Sequence, residues 1–143
     1  GVLIAHASIH GCTKAAAEKL ADILQAKGCK KVAITDLCRD DLAEAIEDAF
    51  KYGKVILAAS SYDAGLFPPM FDFLHHLKIK AWQKREVAII ENGSWAPSAG
   101  RVMKQMLEDM KDITIKGDLV TLRGVMKESD IPALETLADA ILA

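Results

Sequence analysis

Three short segments of the chain gather residue types that could hold a phosphorylated, flat ligand. The first is Ser8-Ile9-His10-Gly11-Cys12-Thr13, small and hydroxyl-rich between an apolar run and a helical pattern. A helix start offers unpaired N–H groups at the positive end of a dipole, which suits a phosphate. Ser8 and Thr13 can add hydroxyl donors, and Gly11 lets backbone approach closely. The loop has neither the Gly-x-x-x-x-Gly-Lys of nucleotide triphosphatases nor the Gly-x-Gly-x-x-Gly of dinucleotide folds. With no lysine or arginine inside it, it reads as a neutral cradle for a monophosphate. Alone it fits a capped turn without ligand equally well.

The second segment, Ser60-Ser61-Tyr62-Asp63-Ala64-Gly65-Leu66-Phe67, places two aromatics among small residues after a wholly apolar run. Phe67 reads as core and Tyr62 as a wall for a flat ring. The third, Asn92-Gly93-Ser94-Trp95-Ala96-Pro97-Ser98, again sets an aromatic among small polar residues. Trp95 serves there either as a hydrophobic lid or as a second wall. A ligand with a phosphate tail and a flat ring would span all three segments, and FMN has that shape.

The elements that must position these loops follow from periodicity. Short apolar runs alternate with amphipathic stretches, the pattern of βαβ units. Strands are expected at Val2–His6, Val32–Thr35, Val55–Ala59 and Val87–Ile90, with a fifth in two pieces, Ile113–Ile115 and Leu119–Leu122. The first helix, Thr13 to Lys27, carries Ala17, Leu20, Ala21 and Leu24 on one face and ends at Gly28. The second runs from about Asp41 to Tyr52, and the third from Pro68 to about Trp82, since proline is tolerated in a first turn. The fourth begins near Ser98, with Met103, Met106 and Met110 inward. Ser129 or Asp130 caps the last. The expected fold is α/β: a three-layer sandwich with a five-stranded parallel sheet of order 2-1-3-4-5 and helices on both faces. Ligands in such folds bind beyond the carboxyl ends of the strands, where the strand order reverses, and there the three segments fall.

The chain of 143 residues carries 18 basic and 20 acidic side chains. That balance gives no basic face for nucleic acid. No apolar run approaches the roughly 20 residues of a membrane span. Cys12, Cys29 and Cys38 show no Cys-x-x-Cys spacing, so no disulfide framework or metal site is expected, and a reducing, cytoplasmic setting fits. His75-His76 reads as a solvated helix face. No Gly-x-Ser-x-Gly nucleophile elbow is present, and no catalytic residue is assigned. Gly1 leads straight into a core strand, so residues 1–143 are expected to be one domain of a longer protein.

On these residues the sequence resembles the flavodoxin family along essentially its whole length. Ser8, Gly11 and Thr13 match the Ser/Thr-x-Thr-Gly-x-Thr phosphate loop. Ser60-Ser61-Tyr62 is similar to the Ser-Thr-Trp that opens the second flavin loop. Gly93-Ser94-Trp95-Ala96-Pro97-Ser98 and the Pro69-x-x-x-Phe73-Leu74 helix are most similar to the flavodoxin-like domain of flavodiiron proteins. Against that pattern, His10 replaces a threonine, Cys12 an asparagine, and Ala96-Pro97 a Gly-Trp pair, while Asp63 adds a negative charge near the ring. The resemblance implies an FMN-binding electron-transfer domain. Ser8 to Thr13 would hold the phosphate. Tyr62 and Trp95 would flank the ring, and Ser60 to Gly65, with Gly93 to Ala96 and Ser98, would line its edge. The partner would be a redox protein or a fused redox domain, such as a β-lactamase-like diiron module. Two alternatives stand beside this reading: a docking or regulatory module that has lost flavin, and an FMN-dependent NAD(P)H quinone reductase. The oligomeric state is left open.

Overall fold

The computed structural model describes residues 1–9, 11–62, 65–93 and 97–143. Seven strands and five α-helices alternate: β1 Val2–Ala7, α1 Cys12–Ala26, β2 Val32–Asp36, α2 Leu42–Lys51, β3 Lys54–Tyr62, β4 Gly65–Leu66, α3 Pro68–Ile79, β5 Arg85–Asn92, α4 Ala99–Glu108, β6 Ile113–Ile115, β7 Val120–Leu122 and α5 Ile131–Leu142. The sheet runs β2-β1-β3-β5, and β6 and β7 share the edge beyond β5. All of these pairings are parallel. The expected order and the two-piece last strand are therefore both found. The addition is β4, which folds back antiparallel on the end of β3 through Ser61–Leu66 and Tyr62–Gly65.

Alternation along each strand divides the apolar residues between two cores. Leu3, Ala5, Ala7, Val55, Leu57, Ala59, Val87 and Ile89 face α2, α3 and α4, where Phe73, Met103 and Trp82 fill the layer. Val2, Ile4, Ile56, Ala58, Ala88 and Ile90 face α1 and α5. Both faces are covered, so β1, β3 and β5 are apolar with little interruption. Trp82 lies beyond the end of α3, and its indole N–H donates to the Ala49 carbonyl at 2.9 Å. No described helix is long and apolar enough to cross a membrane.

The ends of α1 and α2 follow their sequences, while α3 stops at Ile79, short of the expected Trp82. Gly28 takes a left-handed φ of 98° after α1, and the N–H groups of Lys27, Gly28 and Cys29 bond back to the last turn. The Asp41 carboxylate accepts the Ala43 N–H at 3.1 Å and caps α2. At α5 the expected cap fails. Asp130 precedes that helix, but its carboxylate accepts the Lys127 N–H at 2.8 Å and closes a short 3₁₀ turn, Glu128–Asp130. A side chain three residues past an extended Lys127 reaches that N–H before it reaches the helix it precedes.

Register brings the strand ends level. Ala7 pairs with Ala59, and Ser60 with Asn92. The chain leaves β1 for β2 on one side and returns through α2 to β3 on the other. The order therefore reverses between β1 and β3, and the loops after β1, β3 and β5 open on one edge.

Candidate functional site

The loop after β1 turns into α1 through Gly11, whose φ is 80°. Among the described residues, its chain neighbours aside, no heavy atom lies within 4 Å of where a Cβ would stand, so glycine suits the backbone conformation here. Ser8 reaches forward: its hydroxyl oxygen accepts the Thr13 N–H at 3.1 Å. Thr13 is fully buried, and its hydroxyl has no hydrogen-bond partner among them. An orphaned buried hydroxyl in a first helical turn costs about 1–3 kcal/mol. Such a group in the first turn of a helix, at the positive end of its dipole, fits an anion.

A cavity of about 370 Å³ opens at this turn. Its walls are Ser8, Ile9, Gly11 and Lys14 on one side and, on the other, Asp36 at the end of β2 with Cys38 and Arg39 from the turn after it. The neutral cradle expected from the loop's own residues is thus corrected: two cations border it. Sequence reading missed both because it considered only the loop's own residues. Lys14 lies one position past its end, and Arg39 comes from another βα connection.

Beneath the loop, the penultimate residue of β1 is a histidine. His6 is buried, and its Nδ1 has no partner among the described residues. Burial pushes the imidazole below its usual 6.5. Asp36 pulls the other way, Lys14 adds to the depression, and Asp40 and Glu18 oppose it. At neutral pH His6 is therefore an uncharged group under the α1 terminus.

The second and third loops are joined by their own hydroxyls. The Ser61 oxygen accepts the N–H groups of Ser98 at 2.8 Å and Ala99 at 3.0 Å. The Ser98 hydroxyl donates to the Gly65 carbonyl at 2.9 Å. Both hydroxyls are thus spent on tying the β3–β4 hairpin to the start of α4. Gly93 sits within this knot, where a Cβ would fall 3.1 Å from the Ser61 oxygen and 3.2 Å from Pro97 Cα. Ser60 is buried, and its carbonyl accepts the Phe67 N–H at 3.1 Å. Tyr62 stands 47% exposed at the hairpin end, with the Phe67 ring behind it at 5.9 Å. Phe67 packs on the core, as its sequence setting suggests. His10, Asp63, Ala64, Ser94, Trp95 and Ala96 lie outside the described residues.

Two polar residues that open the third loop, and to which the sequence assigned no anchoring role, hold it. Glu91 is buried at the end of β5. Its carboxylate accepts the Gly100 N–H at 2.9 Å and the Thr121 hydroxyl at 2.6 Å. The Asn92 side-chain amide grips Gly124 from both sides, donating to its carbonyl at 2.8 Å and accepting its N–H at 3.0 Å. The available signal was the abrupt change from apolar to Glu-Asn at the end of a buried strand. A larger cavity of about 540 Å³ lies beside Glu91, between α4 and the β6–β7 connection. Both oxygens of Glu91 are already paired there, so its carboxylate leaves no orphan for a ligand.

No protein-family model and no curated protein matches the sequence. Solved structures do match in shape. Rubredoxin oxygen:oxidoreductase from the anaerobe Desulfovibrio gigas superposes with a TM-score of 0.91 at 21% identity, over 98% of this chain and 34% of that one. The flavodiiron protein from Giardia intestinalis gives 0.83 at 16%, over 99% and 36%. A flavodoxin from the domain Archaea gives 0.84 at 17%, over 98% and 94%. The chain therefore has the flavodoxin-like α/β fold. It spans about a third of the two larger proteins and nearly the whole of the archaeal flavodoxin.

Proposed function

We propose that this domain binds FMN at the edge formed by the loops after β1, β3 and β5 and works as an electron-transfer unit. The observation that carries this reading is the α1 terminus. A left-handed glycine and the orphaned Thr13 hydroxyl meet there at a helix start, beside a cavity at the point where the strand order reverses. Ser8, Gly11, Cys12 and Thr13 would hold the phosphate, and Tyr62 would stand beside the ring. The bound flavin would supply the electron-accepting and electron-donating chemistry. The protein's part is to orient it and to set the charge and water around it.

The Gly65 carbonyl is held by the Ser98 hydroxyl and the Gly93 N–H by the Leu122 carbonyl, so the ring's edge would meet backbone already tied to the fold. Likeness to proteins about three times as long supports a partner that is a redox protein or a fused redox domain. The purified domain, incubated with FMN and desalted, is expected to keep a yellow flavin in near one-to-one ratio. A colourless protein would contradict the proposal. The quinone reductase reading differs in expecting NAD(P)H oxidation by the loaded domain alone.

A further inference from the structure

The phosphate cradle is bordered by charge that the rest of the fold does not use. The turn after β2 is heavily tied. The Leu37 N–H donates to the His6 carbonyl at 2.8 Å, at the end of β1. The Cys38 thiol donates to the Ser8 carbonyl at 3.9 Å, on the phosphate loop itself. Inside the turn the two carboxylates serve the backbone. Asp36 accepts the Cys38 N–H at 2.9 Å. Asp40 accepts the Asp36 N–H at 2.8 Å and the Thr35 hydroxyl at 3.2 Å. The Arg39 N–H is held by the Asp36 carbonyl at 3.1 Å. Arg39 is thus set beside the cradle by a turn with little freedom. Among the described residues its guanidinium meets no carboxylate, and neither does the Lys14 ammonium across the cavity. Arg85, by contrast, spends its guanidinium on the carbonyls of Gln83 and Phe50.

Resting on the FMN reading, we propose that Arg39 and Lys14 form a cationic clamp over the α1 terminus. It selects ligands that carry a phosphomonoester dianion. Among the described residues two cations against the single Asp36 carboxylate leave the cavity wall net positive, and behind that wall the buried Thr13 hydroxyl has no partner. A guanidinium fork suits phosphate oxygens, and a lysine adds a mobile point charge. The ligand is then chosen by its tail before its ring. Riboflavin, which lacks the phosphate, gains nothing from the clamp. Affinity should also fall as the phosphate takes up its second proton near pH ~6.

The test is a titration of FMN and of riboflavin, followed by fluorescence quenching, into the wild type, Arg39→Gln and the Arg39→Gln/Lys14→Gln double variant. Each is run in about 0.01 M and about 1 M salt, where exposed charges are screened over ~30 Å and ~3 Å. Arg39→Gln is expected to weaken FMN about tenfold at low salt, the scale of one charge-assisted hydrogen bond. Riboflavin should stay within about twofold, and the double variant should lose most of its salt dependence. FMN affinity unchanged in the double variant, or an equal loss for both flavins, would overturn the clamp. Inorganic phosphate separates this inference from the flavin reading. If no flavin binds the wild type, the FMN proposal fails, and the clamp is judged by thermal unfolding. Phosphate should raise the midpoint of the wild type and not that of the double variant. Equal shifts, or none in either, would overturn the clamp as well.

Discussion

Two helices begin at the same sheet edge, and they begin differently. At α4 the protein closes the terminus itself: Ser61 takes two N–H groups and the Glu91 carboxylate a third. At α1 the Ser8 hydroxyl accepts the Thr13 N–H, and the Thr13 hydroxyl is buried without a partner among the described residues. Every helix start exposes about four such donors, and folds usually satisfy them. The contrast separates roles. The sealed end of α4 is scaffold, locking the β3–β4 hairpin and β5 to a helix. On the proposed FMN reading, the start of α1 is the place of the phosphate.

Breaking the sealed end should cost the most. Glu91→Ala removes a buried carboxylate and strands the Gly100 N–H and the Thr121 hydroxyl. A loss of about 3 kcal/mol is expected, read as a lower urea midpoint with an unchanged slope. Ser61→Ala frees the N–H groups of Ser98 and Ala99 and should cost about 1–2 kcal/mol by the same measurement. A negligible change in both would show that α4 is not held by these side chains.

Acidity probes the ground beneath the start of α1. His6 has its folded-state pKa depressed, chiefly by burial, while the unfolded chain titrates near 6.5. Between those values the unfolded state binds the proton and the folded state does not. Stability is therefore full above about pH 6.5 and declines as pH falls below it. Thermal midpoints measured across that range should drop in the wild type and flatten in His6→Gln. Parallel curves for the two proteins would remove His6 from the account.

The strands and helices were legible because each carries its period in contiguous residues. Val55 to Ala59 can only be a strand covered on both faces, and Leu20 with Leu24 can only share a helix face. The hairpin arm β4 was not legible, since Gly65-Leu66 is too short to show alternation. Nor could the Ser61 cap on Ser98 be read, with partners 37 residues apart and joined only by strand register. That the loops after β1, β3 and β5 open on one edge was legible, because these three strands are parallel neighbours in the sheet. The charge at that edge was not: Arg39 reaches the first loop through a turn that the sequence presents only as Asp36-Leu37-Cys38-Arg39-Asp40. The cap expected from Asp130 failed for a related reason, a nearer backbone N–H at Lys127.

Thr13→Val tests most directly whether the α1 terminus is reserved for a ligand. The change keeps the shape and deletes only the orphaned hydroxyl. If that group is held unpaired for a phosphate, the ligand-free variant should be as stable as the wild type or more so, because no bond is lost and a buried polar atom is removed. Its FMN affinity should fall about tenfold. A variant that loses about 1 kcal/mol or more of ligand-free stability while binding FMN as tightly as the wild type would contradict the account.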